Sequence, residues 1–578
     1  MSQEQNKDMN QYFYRASAAE FIKIPGVTIA YWLSERKRKL FEMPKISCFA
    51  KVGVGMQTGE NAKYIRYWFE VSLDKSSLQI GSEKREKWIP CNKGGDYRKW
   101  FGNTIDVINW ERDGWDIKNL AAGAYIRNEE EYFKPAVTWS RITSGSLSFR
   151  AVNANCIHND ASCFMTGEPA HLNNLIEYLN SKIAAAVIED MNPTLNLLPG
   201  QLNSTPYLSI TNGGGKRCIE IAREDWNLFE VSWEFSDNFL AKGKSQKIEE
   251  TWLAWLARCW QATQELQALE EKNNDLLINT FGLQDELTKD IPLREITLTC
   301  NPHYRYGGNR SEEELETLLQ CDTLRELVSY ALGCMMGRYS LDKPGLILAS
   351  QGETLQDYLR QIPTPRFTPD DDAILPLTDQ EWFTDDATNR FREFIRLVWG
   401  EEHLQQNLDF VAESLCLHAI KPKKGEASLD TIRRYLSTQF FKDHLRTYKK
   451  RPIYWLFSSG KHKAFECLVY LHRYNEGTLA RMRTEYVIPL TAKLSTYAAK
   501  LEKDVEASTS TAEKKRLEKE LTTLHHQQAE LAAFDETLRH YADQRISLDL
   551  DEGVKVNYGK FGDLLAEVKA VTGGAADD

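Results

Sequence analysis

The stretch TCNPHYRYGG, residues 299–308, sets an amide, a proline and an aromatic ring at a spacing that suits methylation of the exocyclic amine of adenine. In such a loop, backbone and side-chain oxygens accept from the amine while the ring stacks on a base turned out of the duplex. Asn301, Pro302 and Tyr304 fit, but His303 stands where a second proline is expected. A second stretch, VGVGMQTGENAKYIRYWFEV (52–71), imitates the start of a dinucleotide fingerprint with Gly53 and Gly55. A phosphate-cradling glycine loop has to lie between a strand and a helix. Here a Gly-Glu-Asn turn leads into the alternation Tyr64, Arg66, Trp68, Glu70, which is strand periodicity. No cofactor role is expected for these glycines.

A third chemistry is carried by charge. The chain has net charge −11, which by itself argues against nucleic acid. Between Lys421 and Arg483, however, 15 Lys/Arg face five Asp/Glu, a local balance of +10 that leaves 57 basic and 78 acidic residues elsewhere. Tyr435, Phe440, Phe441, Tyr448, Tyr454, Trp455 and Phe457 are interleaved with these cations. Cations beside rings form the footprint of a polyanion binder; the alternative is a solvated face with an aromatic core behind it. Metal chemistry finds less support. The 11 cysteines contain no CxxC pair, and Cys156, His158 and Cys163 do not complete a zinc knuckle, so reduced structural thiols are expected. The aspartates at 370–372 lack a Glu-x-Lys partner and read as a solvated acidic loop.

The elements that would position these groups follow from periodicity. At 578 residues two to four domains are expected. No apolar run reaches the roughly 18 residues of a membrane helix, and MSQEQNKDMNQ has no signal-peptide core, so the expected location is the cytoplasm, with no membrane contact. The expected spans are a lead helix in 1–44, a strand-rich α+β domain in 45–212, a long helical spacer in 213–290, a mainly helical domain in 291–440, and a basic segment, hairpin and tail in 441–578. Within them, 24–42 reads as a turn and helix, and Trp139, Arg141 and Thr143 alternate with Val137, Ser140 and Ile142 on a half-buried sheet. Leu172, Leu175, Leu179, Ile183 and Val187 mark one face of a helix, and 245–290 and 312–360 read as further helices. Leu490, Leu494, Tyr497 and Leu501, then Leu517, Leu521, Leu524, Leu531 and Leu538, repeat at coiled-coil spacing around EASTSTAE, which predicts an antiparallel hairpin.

Several of these stretches together resemble one family. KVGVGMQTGENAKYIRYWFEV, YFKPAVTWSRITSGSLSFRAV and LIEYLNSKIAAAVIEDMNPTLNLLPGQLNSTPY are similar to the target-recognition region of PglX-type adenine-specific DNA methyltransferases of BREX phage-exclusion systems. LVSYALGCMMGRYSLDKPGLIL, KRPIYWLFSSGKHKAF and DEGVKVNYGKFGDLL resemble the C-terminal half of the same family. The likeness runs from about residue 20 to about 565. Members carry, upstream, a Rossmann-like domain with a glycine loop for S-adenosylmethionine and an Asn-Pro-Pro-Tyr loop.

The resemblance implies an α+β fold and a chain equivalent to the recognition half of such an enzyme. It implies double-stranded DNA as partner, with the missing methyltransferase half and other BREX components as further partners. No cofactor is expected on this chain itself, and no catalytic or metal-binding residue is assigned. Candidate DNA contacts are Gln57, Thr58, Lys63, Arg66, Lys134, Trp139, Arg141, Ser144 and Arg305, with Lys449, Lys450 and Arg451 for phosphate. Two other readings remain: a stand-alone methyltransferase working through Asn301 to Tyr304, and a protein-interaction scaffold of a defence complex.

Overall fold

The computed structural model describes residues 32–78, 86–142, 145–192, 194, 196–210 and 213–573. Ser144, Thr143 and the opening of the expected 24–42 helix lie outside these residues. The fold is α+β, and among the described residues no helix is long and apolar enough to cross a membrane. Chain contacts divide the molecule into two units whose segments interleave along the sequence. The first comprises Met1–Ile65, Ser77–Trp226 and Cys259–Gly307; the second comprises Arg66–Ser76, Asn227–Arg258 and Gly308–Asp578.

In the first unit, strands Lys51–Val54, Ser162–Thr166, Ala136–Ser140 and Arg150–Val152 form an antiparallel sheet in that order. Lys51 lies opposite Thr166, Trp139 opposite Cys163 and Ala136 opposite Val152. Every residue of the central strand Ser162–Thr166 is buried. A second sheet is built on Trp88–Asn92, antiparallel to Asp106–Asn109 and parallel to Ile157–His158. His158 is buried with its ring stacked on Phe164 at 4.2 Å, and burial lowers its pKa to about 3. The 11 cysteines are free, Cys48 exposed.

The run HLNNLIEYLNSKIAAAVIEDMN is two helices, Pro169–Leu179 and Lys182–Met191. Polar side chains break it. The Asn180 amide pairs with the Phe149 backbone in both directions at 3.0 Å, and Ser181 Oγ accepts from Ala184 N at 3.2 Å as the cap of the next helix. All five expected apolar positions remain buried.

Two buried ion pairs tie the loop between strands Trp88–Asn92 and Asp106–Asn109 to the helices. Arg98 donates to Asp225 at 2.6 Å, and Lys99 to Glu270 at 2.7 Å, where the Trp100 indole also donates at 2.7 Å. Burial opposes the charged form of Lys99, yet Glu270 and Tyr97 outweigh it and hold its pKa above the ordinary lysine value.

The second unit contains the antiparallel sheet Tyr454–Ser458, Glu466–Tyr470 and Ile374–Pro376, surrounded by helices. The helix expected across 312–360 is Glu312–Met335, then irregular chain, then Leu355–Gln361. The 370–386 segment is not a solvated loop throughout: Asp386 is fully buried, caps Asn389 N at 2.8 Å and accepts from Arg433 at 2.5 Å. The hairpin is present as Ile488–Ala507 and Thr511–Asp543. Leu490, Leu494, Leu501, Leu517, Leu524, Leu531 and Leu538 are buried, while Leu521 and Tyr497 sit at the half-buried edge of the seam.

Removing one member of a buried pair strands the other's charge, at a cost of about 3–5 kcal/mol. Glu270→Ala is therefore expected to lower unfolding free energy by that amount in urea titration; a loss near zero would contradict the burial of Lys99.

Candidate nucleic-acid interface

The Asn-Pro-His-Tyr loop of the first unit is built as a helix start. Asn301 is fully buried and N-caps the short helix Pro302–Tyr306, its side-chain oxygen accepting from His303 N at 3.1 Å. Its amide donates to the carbonyls of Leu293 and Ile296, both at 2.8 Å. The residues just before it are held by Asp225, which accepts from Thr299 N at 2.7 Å and Cys300 N at 2.8 Å. Tyr304 donates its hydroxyl to the Tyr97 carbonyl. With both donors committed, its oxygen bonded to His303 N and the side chain fully buried, the Asn301 amide cannot meet an incoming amine.

The two glycines are likewise explained by packing. A Cβ on Gly53 would lie 2.8 Å from the Phe164 ring, and one on Gly55 would lie 2.2 Å from the His158 carbonyl oxygen. Protein fills the space that a methyl donor would need at these positions. The expected alternation after them is also altered: Tyr64 ends a helical turn, Ile65–Tyr67 is a short strand and Trp68–Glu70 is a 3-10 turn.

The candidate contacts of the first unit separate by exposure. Gln57 is exposed, its backbone bridged to Tyr125. Thr58 is buried, its hydroxyl turned onto Asn61 at 2.7 Å, so it shapes the turn and cannot touch a base. Lys63 is exposed, 5.0 Å from the Tyr64 ring centre and 3.9 Å from Glu60. Lys134 is exposed but bound to Glu131 at 3.1 Å. Trp139 is fully buried with its indole donating to the Leu197 carbonyl at 2.9 Å; the expectation of a Trp139 contact is corrected, because the inward face of the strand takes the ring. Arg141 follows on the same strand edge, half-buried, with its backbone paired to Ala161 and Leu197. Arg305 lies half-buried on the Asn301-capped helix, 5.6 Å from the Tyr306 ring centre.

Arg66 belongs to the second unit. It donates to the carbonyls of Asp551 and Glu552 at 3.2 and 3.1 Å and packs where Gly553 lacks a side chain. These bonds make it a chain-tethering residue.

The basic block divides inside from outside. Arg433 pairs with Asp386, Arg434 with Glu426 at 2.5 Å, Arg481 with Asp371 at 2.7 Å and Arg483 with Asp535 at 2.8 Å, while Arg473 donates to the carbonyls of Asp370 and Asp371. All seven interleaved aromatic rings are buried, which is the aromatic-core alternative as far as the rings are concerned. Besides exposed lysines at 421–424 and 461–463, four outward cations lie together on helix Phe441–Thr447 and the turn after it. Phe441, His444, Leu445 and Tyr448 face inward, whereas Lys442 and Arg446, four residues apart, share the exposed side. Asp443 within this helix turns inward to Arg325 and Tyr435, with Arg446 3.4 Å from its carboxylate.

Lys449 and Lys450 then adopt left-handed backbone, φ 49° and 60°, and both are exposed. Such non-glycine geometry costs on the order of 1 kcal/mol per residue and recurs at functional turns. Lys449 Nζ lies 6.0 Å from the Tyr67 ring centre, and among the described residues neither ammonium has an acidic partner. Arg451 is half-buried, donating to the Val571 carbonyl at 3.2 Å and lying 3.9 Å from Glu70.

Sequence reasoning missed Lys442 and Arg446, although their i, i+4 spacing was the available signal. It also missed Arg112, Trp115, Tyr125 and Arg127. Trp115 and Tyr125 are 44% and 57% exposed, with the Arg112 and Arg127 guanidiniums 5.1 and 4.5 Å from their respective ring centres.

No family model matches the chain. It is similar to the adenine-specific methyltransferase BrxX of Escherichia coli O9:H4 (strain HS), 43% identical over 565 residues that cover 96% of this chain and 46% of the relative. It is also similar to the adenine-specific methyltransferase PglX of Lacticaseibacillus casei (strain Zhang), 34% identical over 589 aligned positions with the same coverage. The chain spans about half the length of these curated relatives.

Asn301→Ala removes a cap worth about 1 kcal/mol and leaves buried carbonyls unpaired at roughly 1–3 kcal/mol each. A loss of several kcal/mol by chemical denaturation is expected; unchanged stability would reopen a catalytic role for the loop.

Glu131 gives a pH test. Burial would raise its carboxyl, but bonds from Lys51 (2.8 Å), Thr166 (2.6 Å) and Lys134 (3.1 Å) more than offset this and hold it at about 2. A depressed carboxyl contributes stability above its unfolded value, 4.5, and loses it as pH falls through the folded value. The stability gap between wild type and Glu131→Gln should be full at neutral pH and close between about 4.5 and 2. A gap constant across that range would refute the assignment.

Proposed function

We propose that this chain is the DNA-recognition and DNA-binding portion of a BREX-type site-specific adenine DNA methyltransferase, which marks host DNA in phage defence. Its partner is double-stranded DNA. Methyl transfer, with S-adenosylmethionine as donor, belongs on this reading to the part of the longer enzymes outside the matched span. That part and other BREX components are the expected protein partners.

The observation that carries the proposal is the outward cationic ridge Lys442, Arg446, Lys449, Lys450. It supplies positive charge on a chain of net charge −11, and among the described residues no carboxylate forms an ion pair with Lys442, Lys449 or Lys450. Cations so placed hold backbone phosphates and fix register. In the first unit Gln57, Lys63, Lys134, Arg141 and Arg305 are the candidate DNA contacts whose side chains reach solvent. The likeness to BrxX and PglX supports adenine methylation as the setting.

The scaffold reading keeps one specific observation. Trp115, Leu120 and Tyr125 expose apolar surface within a segment whose charges are largely paired, as Arg112 with Asp116 and Lys118 with Asp113 and Glu129. This is the composition of a protein contact.

Each phosphate contact contributes about 0.9 to the slope of log affinity on log salt. For Lys442→Ala, Lys449→Ala and Lys450→Ala combined, the slope for duplex DNA is expected to shrink by up to about 2.7. A salt-insensitive or absent interaction in the wild type would sink the DNA reading, and micromolar S-adenosylmethionine binding by this chain would favour methylation through its own residues.

A further inference from the structure

We propose that the turn Ser459–Ala464 of the second unit is a second phosphate-holding element, presented by Lys461 and His462 and positioned by Glu530 of the hairpin. This rests on the DNA-binding reading above and adds to it a site and a spacing.

The turn joins strands Tyr454–Ser458 and Glu466–Tyr470. One carboxylate organises it: Glu530 accepts from Ser459 Oγ at 2.7 Å, His462 N at 2.6 Å and Ala464 N at 3.1 Å. Burial would raise the Glu530 carboxyl, but these donors more than offset it and lower its pKa. Gln527, one helical turn earlier, donates to the His462 carbonyl at 3.3 Å. Gly460 has φ 131°, and a Cβ there would stand 3.1 Å from a Glu530 oxygen, so the close approach of helix and turn needs glycine.

The result sorts the side chains of the turn. Lys463 is exposed but tied to Glu466 at 2.9 Å and to the Ser437 carbonyl at 2.7 Å. Lys461 and His462 are exposed, and His462 meets the His526 ring at 5.0 Å. Among the described residues no carboxylate pairs with Lys461. A turn pinned by three bonds to a helix of the hairpin, with Lys463 neutralised by Glu466 and the two side chains before it in solvent, is arranged to present charge.

Its place matters as much. The Lys449–Lys450 turn precedes strand Tyr454–Ser458 and this turn follows it. Eight residues, 451–458, lie between the two turns, and the five of them in the strand span about 17 Å at 3.4 Å per residue. Along one DNA strand that is the rise of about five nucleotides. The two turns would therefore hold phosphates on either side of the same few base pairs.

The test is salt-dependent binding of the full chain to a mixed-sequence duplex. Lys461→Ala with His462→Ala should reduce the log–log slope by about 0.9 or more, additively with Lys449→Ala and Lys450→Ala. Glu530→Ala should reproduce much of that loss at unchanged melting temperature, with Glu530→Asp restoring it. Should the Lys449/Lys450 variant lower the slope while the Lys461/His462 variant does not, this inference fails and the DNA reading stands. Should the wild type not bind duplex at all, both fall. If Glu530→Ala lowers stability, the Lys461/His462 variant alone decides.

Discussion

The first unit depends on neutralising two adjacent buried cations. Arg98 and Lys99 sit side by side in the chain, and each finds a carboxylate from a different helix, Asp225 from Gly215–Trp226 and Glu270 from the long helix ending at Phe281. A charge withdrawn from water is tolerated only with a well-placed partner and with its remaining hydrogen-bonding capacity filled. Here the carboxylates are filled too: Asp225 takes two backbone amides and Glu270 takes the Trp100 indole. The pairs therefore fix strand, helices and the 299–301 loop in one arrangement, and slipping any of them leaves a bare charge. The Asn301 loop is a product of that constraint.

In the second unit the same electrostatics sorts a basic sequence into two populations. Arginines near the core find carboxylates or carbonyls, several from the 370–386 segment, and their charge is spent inside. Among the described residues, Lys442, Lys449, Lys450 and Lys461 have no such partners and stay in water. Rings that alternate with them in sequence are the apolar half of the same sorting. On the proposed reading, phosphate grip and base reading are then separate tasks, since the rings beside the cations are unavailable for stacking. Grip is loaded on rigid turns whose geometry is set by a helix end, a strand and the hairpin carboxylate Glu530.

Several elements were legible from spacing because local periodicity decides them. The hairpin seam and the buried face of 172–187 follow from apolar residues that must be covered. What periodicity did not show was interruption: the Asn180 side chain takes the backbone of Phe149, some thirty residues away, and Ser181 caps the next helix through Ala184 N. Trp139 was placed on a sheet, but which face of that sheet is covered depends on the 197 segment laid across it.

By itself the sequence determined the α+β class, the segregation of positive charge into 421–483 and the hairpin. These are properties of residue type and short spacing. Only the tertiary structure decided that Asn301 is a saturated cap, that the aromatic residues of the basic block form core, and which cations remain outside. Each of those outcomes turns on burial and on hydrogen-bond or ionic partners supplied from elsewhere in the chain, Asp225 lying 75 positions from Cys300 and Asp386 lying 47 from Arg433. A motif specifies which groups are available; the fold specifies whether they are already occupied.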